Sequence, residues 1–293
     1  MNKIAITGSS GRIGRAIHWK LSKGYPVIGL DVSPGSSTSR IVDIRDYDQV
    51  MRSLEGVKVV FHTAALHAPH VGKFSERDFY HINVKATELI CRAAKELGVS
   101  QIIFTSTTAL YGYANCREGE AAWINEKTVP QPKTIYHQTK LEAERVLQAY
   151  SGKDLQISVI RMSRAFPEPA HTMAVFRLHR GVDYRDVADA HVLAWSVANP
   201  KDFDMFVVSG STPFLPEDVQ SLYLNPEEVI RKRAPELSAE LDKRGWRFPI
   251  SIDRIYDSSY AQEALGWKPK WGYEEVFRQF DREDFEVLPY SND

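Results

Sequence analysis

Tyr136 and Lys140 are four residues apart, and this spacing puts two side chains on the same face of an α-helix. A lysine ammonium about 4 Å from a phenol, at an effective dielectric of about 20, favours the phenolate by about 4 kcal/mol, or roughly three pKa units. A phenol ordinarily ionises near pH ~10, so this shift would let it accept a proton from an alcohol while a hydride leaves the carbon. The same spacing also occurs by chance on solvated helix faces. The chemistry therefore requires a cofactor site and a third polar group elsewhere in the chain.

A glycine-rich turn follows the first predicted strand and opens a predicted helix. The residues of this turn that are assigned to cofactor binding are Gly8, Gly11, Arg12, Ile13 and Gly14. Glycines let the backbone bend sharply and approach a pyrophosphate, whose charge the free N–H groups at a helix N-terminus stabilise. Asp31 ends the second predicted strand, where a carboxylate can accept hydrogen bonds from ribose hydroxyls. Because Asp31 would repel a ribose 2′-phosphate, NAD is the predicted cofactor. NADP remains the minor alternative, because Arg40 is near Asp31 in the sequence.

The composition narrows the class of protein. The chain has 293 residues, enough for one large domain or for a main domain with a smaller lobe. Its formal net charge of -1 gives no general attraction to nucleic acid or to a membrane, so neither is a predicted partner. The two cysteines, Cys91 and Cys116, and the histidines show no metal-ligand spacing, so no metal is predicted. Without an apolar run of ~18 residues or a charged-then-apolar leader, the chain is predicted to be cytoplasmic.

Short apolar segments alternate with amphipathic helical segments along the first half of the chain. Strands are predicted at 3–7, 26–31, 57–61, 101–105 and 155–160, and helices at 47–54, 75–97 and 134–150. This alternation predicts an α/β fold with a Rossmann-like, doubly wound parallel sheet, whose ligand crevice lies at the C-terminal strand ends. The polar, proline-bearing stretch 113–132 is predicted to be a loop.

Two parts are predicted for the whole chain. Residues 1–162 form an NAD-binding Rossmann domain, which elements within about 183–210 complete. These elements are a helix at 184–198 and a strand at 204–208. Residues 163–182 and 211–293 form a small C-terminal substrate-binding lobe with short helices near 226–233, 257–265 and 273–279.

The order of motifs from residue 4 to about 190 resembles the extended short-chain dehydrogenases/reductases of the NAD-dependent epimerase/dehydratase family. The matching motifs are TGSSGRIG at 7–14, Asp31, Asp43 with Ile44, HTAA at 62–65, Asn83, STTALYG at 106–112, Tyr136 with Lys140, and DYRDVADA at 183–190. By this resemblance, Asp43 and Ile44 flank the adenine, and Ala64 and Ala65 line the path from ribose to nicotinamide. Thr63 and Asn83 are counted with the cofactor site, Asn83 as a support of the central helix.

The resemblance also implies the catalytic roles. Thr107 stands four residues before the Tyr of a Tyr-Gly pair and would orient and polarise the reacting oxygen, with Ser106 as an alternative. Tyr136 would be the acid/base, and Lys140 would lower its pKa and bind the nicotinamide ribose. Thr108, counted with the substrate-binding residues, is one of two positions where 4,6-dehydratases carry acidic residues, so elimination of water is not expected.

The predicted substrate residues are His67, Thr107, Thr108, Arg164 and Arg180. Arg164 stands where similar proteins carry an asparagine that holds a sugar nucleotide, and a guanidinium could clamp a carboxylate or phosphate instead. His179 or Arg180 falls near the diphosphate-binding arginine of the family. The alternative is a solvated basic surface balanced by Asp183 and Asp186.

These observations predict an NAD-dependent sugar-modifying enzyme, in the first place an epimerase of a nucleoside-diphosphate sugar that acts through a transient keto intermediate. One alternative is a sugar or uronate dehydrogenase or reductase with net hydride transfer. Another is a non-catalytic NAD-binding sensor. The predicted partner is a small sugar or nucleotide-sugar substrate. The resemblance further implies a homodimer through the helices at 75–97 and 134–150.

Overall fold

The computed structural model describes residues 2–198 and 200–290. The strands are β1 (Lys3–Thr7), β2 (Val27–Asp31), β3 (Arg40–Ile41), β4 (Val57–His62), β5 (Gln101–Thr107), β6 (Ala122–Ile124), β7 (Gln156–Met162), β8 (Phe203–Val208) and β9 (Arg254–Tyr256). The α-helices are α1 (Arg12–Leu21), α2 (Tyr47–Leu54), α3 (Glu76–Tyr80), α4 (Ala86–Glu96), α5 (Ile135–Tyr150), α6 (Ala170–Phe176), α7 (Tyr184–Ser196), α8 (Val219–Leu224), α9 (Pro226–Arg233), α10 (Pro235–Arg244), α11 (Ser259–Leu265) and α12 (Tyr273–Asp281). Across the described residues, we find no helix with the length and apolar character needed to cross a membrane.

The main sheet has seven strands in the order β3-β2-β1-β4-β5-β7-β8. β1 pairs in parallel with β2 on one side and β4 on the other, with Ala5 beside Ile28 and Val60. The strand order therefore reverses at β1, and sheets of this kind bind ligands at the C-terminal strand ends beside such a switch point. The predicted α/β, Rossmann-like doubly wound sheet is confirmed.

Contacts divide the chain into two compact units. The first contains Met1–Gly112, Pro130–Arg161 and Val187–Phe206, and the second contains Tyr113–Val129, Met162–Asp186 and Val207–Asp293. The predicted NAD-binding domain included 113–129, which the structure places in the second unit. Met1 and 291–293, at the ends of the predicted domains, lie outside the described residues.

The first unit is held together by apolar side chains that the sheet strands and two helices bury between them. Members of this core include Ala5, Val60, Ile102, Phe104, Ile157, Ile90 and Leu147. Each fully buried Val, Leu, Ile or Phe side chain stabilises the fold by about 1.5–3 kcal/mol. The Thr134 hydroxyl accepts a hydrogen bond from the His137 amide at 3.4 Å and so caps the start of α5. The core and this cap fix the strand ends and the helix turn that carry the predicted catalytic residues.

The second unit has its own core and a small sheet. β6 and β9 pair in parallel, with Ala122 beside Arg254 and Ile124 beside Tyr256. The core includes Leu222, Ile230, Leu237, Leu241, Ile255 and Val276. The loop predicted over 113–132 therefore contains a strand, and that prediction is wrong there. A three-residue strand whose partner lies far along the chain leaves no local periodicity to read.

Candidate active site

The glycine-rich turn between β1 and α1 depends on close backbone approaches. Gly8 has φ +70°, and a Cβ there would lie 2.7 Å from the Ala64 nitrogen and 2.8 Å from the Thr63 hydroxyl oxygen. A Cβ on Gly14 would lie 2.2 Å from the Gly8 carbonyl oxygen. The turn thus lies directly against the segment that follows β4. Its backbone N–H groups at the start of α1, together with Arg12 and Ile13, form a surface suited to a pyrophosphate.

Gly14→Ala is expected to destabilise the first unit by about 1–3 kcal/mol, the usual effect of overpacking, and to weaken NAD binding. Gly24→Ala is the matched control, because a Cβ on Gly24 meets nothing within 4 Å. Thermal denaturation and calorimetric titration with NAD measure the two effects. Equal NAD affinity in both variants would contradict the assignment of this turn to the cofactor.

Asp31 lies beside this turn at the end of β2. Its carboxylate accepts hydrogen bonds from the backbone N–H of Ser10 at 3.0 Å and of Ser33 at 2.9 Å. These bonds hold the carboxylate against the glycine-rich turn, the position predicted for an acceptor of ribose hydroxyls. Arg40, on which the NADP alternative depended, donates to the Arg52 carbonyl at 3.3 Å.

Asp31→Asn is expected to weaken NAD binding by about ten-fold, since hydrogen bonds to a charged group contribute about 1.5–3 kcal/mol and the amide keeps one acceptor. The ratio of NADP to NAD affinity should rise at the same time, because the repulsion of a 2′-phosphate is removed. Binding constants for both dinucleotides test this prediction. An unchanged ratio would remove Asp31 from cofactor selection.

The remaining predicted cofactor residues lie along the same side of the first unit. The Val42 amide donates to the Asp31 carbonyl at 2.9 Å, which ties the segment that carries Asp43 and Ile44 to the end of β2. The side chain of Ile44 is buried. The Arg45 guanidinium, bound to the Asp43 carboxylate at 2.6 Å, lowers the pKa of that carboxyl group. Ala64 and Ala65 follow β4 directly.

Asn83 lies in a π-helical turn, His81–Lys85, between α3 and α4. Its side chain accepts from the Leu66 amide at 2.8 Å and donates to the Leu66 carbonyl at 2.9 Å and to the Thr139 hydroxyl at 3.1 Å. A π-helical turn inside a helical segment frequently occurs at a functional site. Here it lets one amide tie the loop after β4 to α5, which agrees with the supporting role expected of Asn83.

Thr107, Tyr136 and Lys140 all lie in the first unit, at the end of β5 and on α5. Tyr136 packs against Leu66 and Phe79, and its side chain hydrogen bonds with that of Thr107. Ser106, the alternative to Thr107, donates to a carboxylate on α5 instead. The structure therefore brings the phenol together with the Thr107 hydroxyl, as the sequence predicted.

The expected effect of Lys140 on Tyr136 is not found in the protein alone. Burial raises the pKa of Tyr136 to about 12, and the hydrogen bond with Thr107 opposes this shift only in part. The Lys140 ammonium donates to the Thr105 carbonyl at 2.7 Å and lies 3.8 Å from the centre of the Phe104 ring. Burial lowers the pKa of Lys140 to about 7. The sequence argument considered only the attraction between the two groups, whereas burial has the largest effect on the pKa of each.

His67 and Thr108, two predicted substrate residues, also belong to the first unit. Thr108 is buried and starts a 3₁₀ turn directly after Thr107. The ring of His67 lies 4.3 Å from that of His70, centre to centre. Burial, followed by the charge of His70, lowers the pKa of His67. Thr108 is thus next to Thr107 in the chain, and His67 follows Leu66, which packs against Tyr136.

Arg164 and Arg180 belong to the second unit. Arg164 pairs with Glu168, and Arg180 pairs with Asp253 at 2.9 Å. Both guanidinium groups lie over the Phe176 ring, at 5.9 Å and 5.2 Å from its centre. The two arginines are therefore close to each other within this unit.

Other members of the predicted basic cluster serve the interior of the second unit. Arg177 and Arg185 both bind the buried Asp183 carboxylate, at 3.1 Å and 2.8 Å. His179 is buried, its Nδ1 hydrogen bonds with the Arg254 carbonyl, and burial lowers its pKa to about 3. Of the pair His179 or Arg180, His179 is therefore neutral at pH 7, and Arg180 is a cation that binds the Asp253 carboxylate.

The second unit also contains a cavity of about 450 Å³. Its lining includes Arg177, Asp183, Arg233 and Trp271, and none of the predicted site residues lines it. Both arginines of its wall bind carboxylates of the same unit, Arg177 that of Asp183 at 3.1 Å and Arg233 that of Asp218 at 2.9 Å. We therefore place the candidate chemistry on the first unit and not at this cavity.

Sequence reasoning missed a buried ion pair next to the catalytic residues. Glu144 binds Arg161, which comes from β7, and both side chains are 4% exposed. The signal was available: Glu144 lies four residues after Lys140 and eight after Tyr136, on the same helix face. It was overlooked because a glutamate on an amphipathic helix ordinarily faces water.

The fold and the site together define an NAD-binding α/β protein with a Thr-Tyr-Lys set. Residues 4–176 match the sequence model of the NAD dependent epimerase/dehydratase family, and the chain belongs to that family. The predicted relationship to extended short-chain dehydrogenases/reductases, and the predicted cofactor NAD, are confirmed at the level of the family.

Three comparisons illustrate the relationship. The chain is 28% identical over 209 residues to the 3β-hydroxysteroid dehydrogenase/Δ5→4-isomerase of Vaccinia virus (strain Ankara), covering 63% of this chain and 60% of the viral protein's length. It is 25% identical over 332 residues to the UDP-glucose 4-epimerase of Bacillus subtilis (strain 168), covering 93% of this chain and 94% of that enzyme. The solved structure of MoeE5 in complex with UDP-glucose and NAD shares the fold, with a TM-score of 0.70, 20% identity and coverage of 96% and 98%.

Proposed function

We propose that the protein is an NAD-dependent sugar-modifying enzyme in which Tyr136 exchanges a proton with a substrate hydroxyl. The observation that carries this proposal is the hydrogen-bonded pair of Tyr136 and Thr107, with Lys140 one helical turn away. Bound NAD would supply the hydride acceptor for the carbon that bears this hydroxyl, and a positive charge beside it. The phenol takes or returns the hydroxyl proton, and the Thr107 hydroxyl donates a hydrogen bond to the oxygen as it gains carbonyl character.

Residues of the first unit suit the binding of NAD. The backbone of the turn around Gly8 and Gly14 would hold the pyrophosphate, and the Asp31 carboxylate would hold the adenosine ribose. Asp43 and Ile44 would flank the adenine, while Ala64, Ala65 and Lys140 would line the path to the nicotinamide. The close approaches that exclude a Cβ at both glycines support this placement.

For the exact reaction, we propose the epimerisation of a nucleoside-diphosphate sugar through a transient keto intermediate. One relative, whose match covers 93% of this chain, is a UDP-glucose 4-epimerase, and this supports the choice. An epimerase needs only hydride removal, rotation of the ketone and hydride return. Thr108 and Ala109 provide no acid/base pair for the elimination of water, which disfavours a dehydratase.

A sugar or uronate dehydrogenase with net hydride transfer is the second candidate. The observation that favours it is the proximity of Arg164 and Arg180 around Phe176, because two guanidinium groups can hold a free carboxylate. Incubation with NAD and a panel of UDP-hexoses, UDP-uronates, free uronates and free aldoses separates the candidates. Accumulation of NADH identifies net oxidation, whereas an epimerised product without NADH identifies the epimerase. Tight NAD binding without turnover of any substrate would leave a non-catalytic NAD sensor.

Arg164→Met is expected to raise KM for an anionic substrate by about ten-fold or more with a small change in kcat, because it removes a charged hydrogen-bond donor used in binding. Arg117→Met is the matched control, since Arg117 belongs to the same unit and its side chain is 80% exposed. Steady-state kinetics with the substrate found in the panel measure the effect. The same KM in both variants would assign Arg164 to the solvated surface.

We also propose a homodimer in which α3, α4 and α5 form the interface. The support is the resemblance to extended short-chain dehydrogenases/reductases, since these helices correspond to the segments 75–97 and 134–150. Light scattering tests it directly, and a monomer at micromolar concentration would exclude it.

A further inference from the structure

Glu144 lies one helical turn after Lys140 on the same face of α5, and it is buried. Its Oε1 accepts a hydrogen bond from the Ser106 hydroxyl at 2.5 Å. Thr105, the residue before Ser106, accepts from the Lys140 ammonium through its carbonyl at 2.7 Å. Two consecutive residues at the end of β5 thus hold two consecutive turns of α5. Glu144 takes no part in the proton transfer proposed above.

Arg161 completes this arrangement from β7. Its Nη2 donates to Glu144 Oε2 at 2.6 Å, and its Nε lies 3.1 Å and 3.2 Å from the two carboxylate oxygens. Its Nη1 donates to the Tyr111 hydroxyl at 2.9 Å. A buried ion pair contributes little net stability, because desolvation of both charges offsets their attraction. We therefore expect this pair to have a role other than stabilising the fold.

We propose that the buried Glu144 carboxylate, held in place by Arg161, positions Lys140 and favours its ammonium form. The carboxylate favours the ammonium form of Lys140, and the guanidinium is expected to weaken this effect because its charge is of the opposite sign. The inference rests on the proposed function, because it needs Lys140 to act beside Tyr136 and the cofactor. Both members of the pair are positioning residues, since their contacts are to Lys140's surroundings and not to the reacting groups.

The electrostatics of Lys140 agree with this geometry. Burial lowers the pKa of Lys140 to about 7, and the Glu144 carboxylate opposes this decrease. An opposite charge within about 4–6 Å ordinarily shifts a pKa by about 1–3 units. Removing the carboxylate would leave the Arg161 guanidinium uncompensated near Lys140, whereas removing the guanidinium would leave the carboxylate uncompensated.

Three histidines face the same region from other elements. His62 comes from β4, His67 from the loop after β4, and His191 from α7, where its Nε2 hydrogen bonds with the Thr105 hydroxyl at 2.8 Å. Burial lowers the pKa of His62 to about 3 and of His191 to about 4, so both are neutral where Lys140 titrates. Burial and the charge of His70 lower the pKa of His67 as well. Among these neighbours, Glu144 is thus the charged group that acts on Lys140 between neutral and alkaline pH.

The test compares Glu144→Gln, Arg161→Gln and the double variant by NMR titration of lysine labelled with ¹³C at Cε. Lys140→Arg assigns the Lys140 signal, and the exposed lysines serve as an internal reference. Glu144→Gln is expected to lower the pKa of Lys140 by about one unit or more, and Arg161→Gln to raise it by a similar amount. The double variant should titrate between the two single variants and below the wild type, because the carboxylate is the stronger influence on Lys140. A purely structural role would shift both single variants in the same direction, with the largest change in the double variant, and would overturn the proposal.

Glu144→Asp gives a second, milder test if a single charge removal prevents folding. It keeps both charges and withdraws the carboxylate by one methylene, so a smaller downward shift of the Lys140 pKa is expected, and an unchanged pKa would overturn the proposal. The titration reads the ionisation of Lys140 itself and needs no substrate. The two proposals can therefore fail separately. If no sugar of the panel is turned over but the two single variants shift the pKa of Lys140 in opposite directions, the proposed function is excluded and the electrostatic role of the pair is retained.

Discussion

Tyr136→Phe is expected to abolish turnover while NAD still binds. The substitution removes only the hydroxyl, which is the proposed acid/base, and leaves the ring packed against Leu66 and Phe79. Loss of a positioned proton-transfer group ordinarily lowers the rate by about 10²–10⁴-fold. The turnover measured with the substrate found in the panel should fall by at least this factor. NAD affinity, measured by calorimetry on the same preparation, should remain within a few-fold of wild type.

Tyr150→Phe is the matched control, because Tyr150 ends the same helix. Removal of its hydroxyl should leave turnover unchanged. Retention of near-wild-type kcat in Tyr136→Phe would exclude the phenol as acid/base. Loss of NAD binding together with activity would show instead that the substitution disturbs the fold around Thr107.

The sheet and most of its helices could be predicted because their signals are local. Segments 3–7, 47–54 and 226–233 have the predicted bounds of β1, α2 and α9, since continuous apolar runs and helical periodicity mark these elements directly. β3, β6 and β9 could not be predicted, because two or three residues are too few to show a period. α6, α8 and α10 begin at or shortly after prolines in the second unit. Their apolar residues belong to a core whose members are spread along the chain, so the helical period is short in each of them.

The sequence indicates which residues could form the candidate site, but it does not indicate the pKa values of those residues. Thr107, Tyr136 and Asn83 are identified by their order along the chain, and the structure brings their segments together in the first unit. Burial is a property of the folded chain, so the sequence could not show that desolvation would raise the pKa of Tyr136 and lower that of Lys140. The binding of Glu144 by Arg161 depends on β7 lying next to β5 in the sheet, which is a matter of topology.

Lys140→Met is expected to lower turnover by on the order of 10²-fold or more, comparable to the loss of one preorganised donor at a reacting centre. It should also weaken NAD binding, because Lys140 is proposed to bind the nicotinamide ribose. The same substitution should stabilise the folded protein at neutral pH. A buried lysine carries a desolvation penalty in its charged form, and methionine fills a similar volume without it. Activity and stability are therefore expected to change in opposite directions.

The pH dependence of the free energy of unfolding shows whether Lys140→Met stabilises the protein by removing a buried charge or by improving the packing. The pKa of Lys140 is about 7 in the folded protein and near ~10.4 in an unfolded chain, so between these values the unfolded state binds more protons. Wild-type stability should therefore rise with pH across this interval, by on the order of 2 kcal/mol between pH ~7 and ~9 from this group alone. The excess stability of Lys140→Met should be largest below pH ~7 and should disappear above ~10. Urea denaturation of both proteins across this range measures the difference, and a difference that does not vary with pH would mean that Lys140 titrates normally in the folded protein.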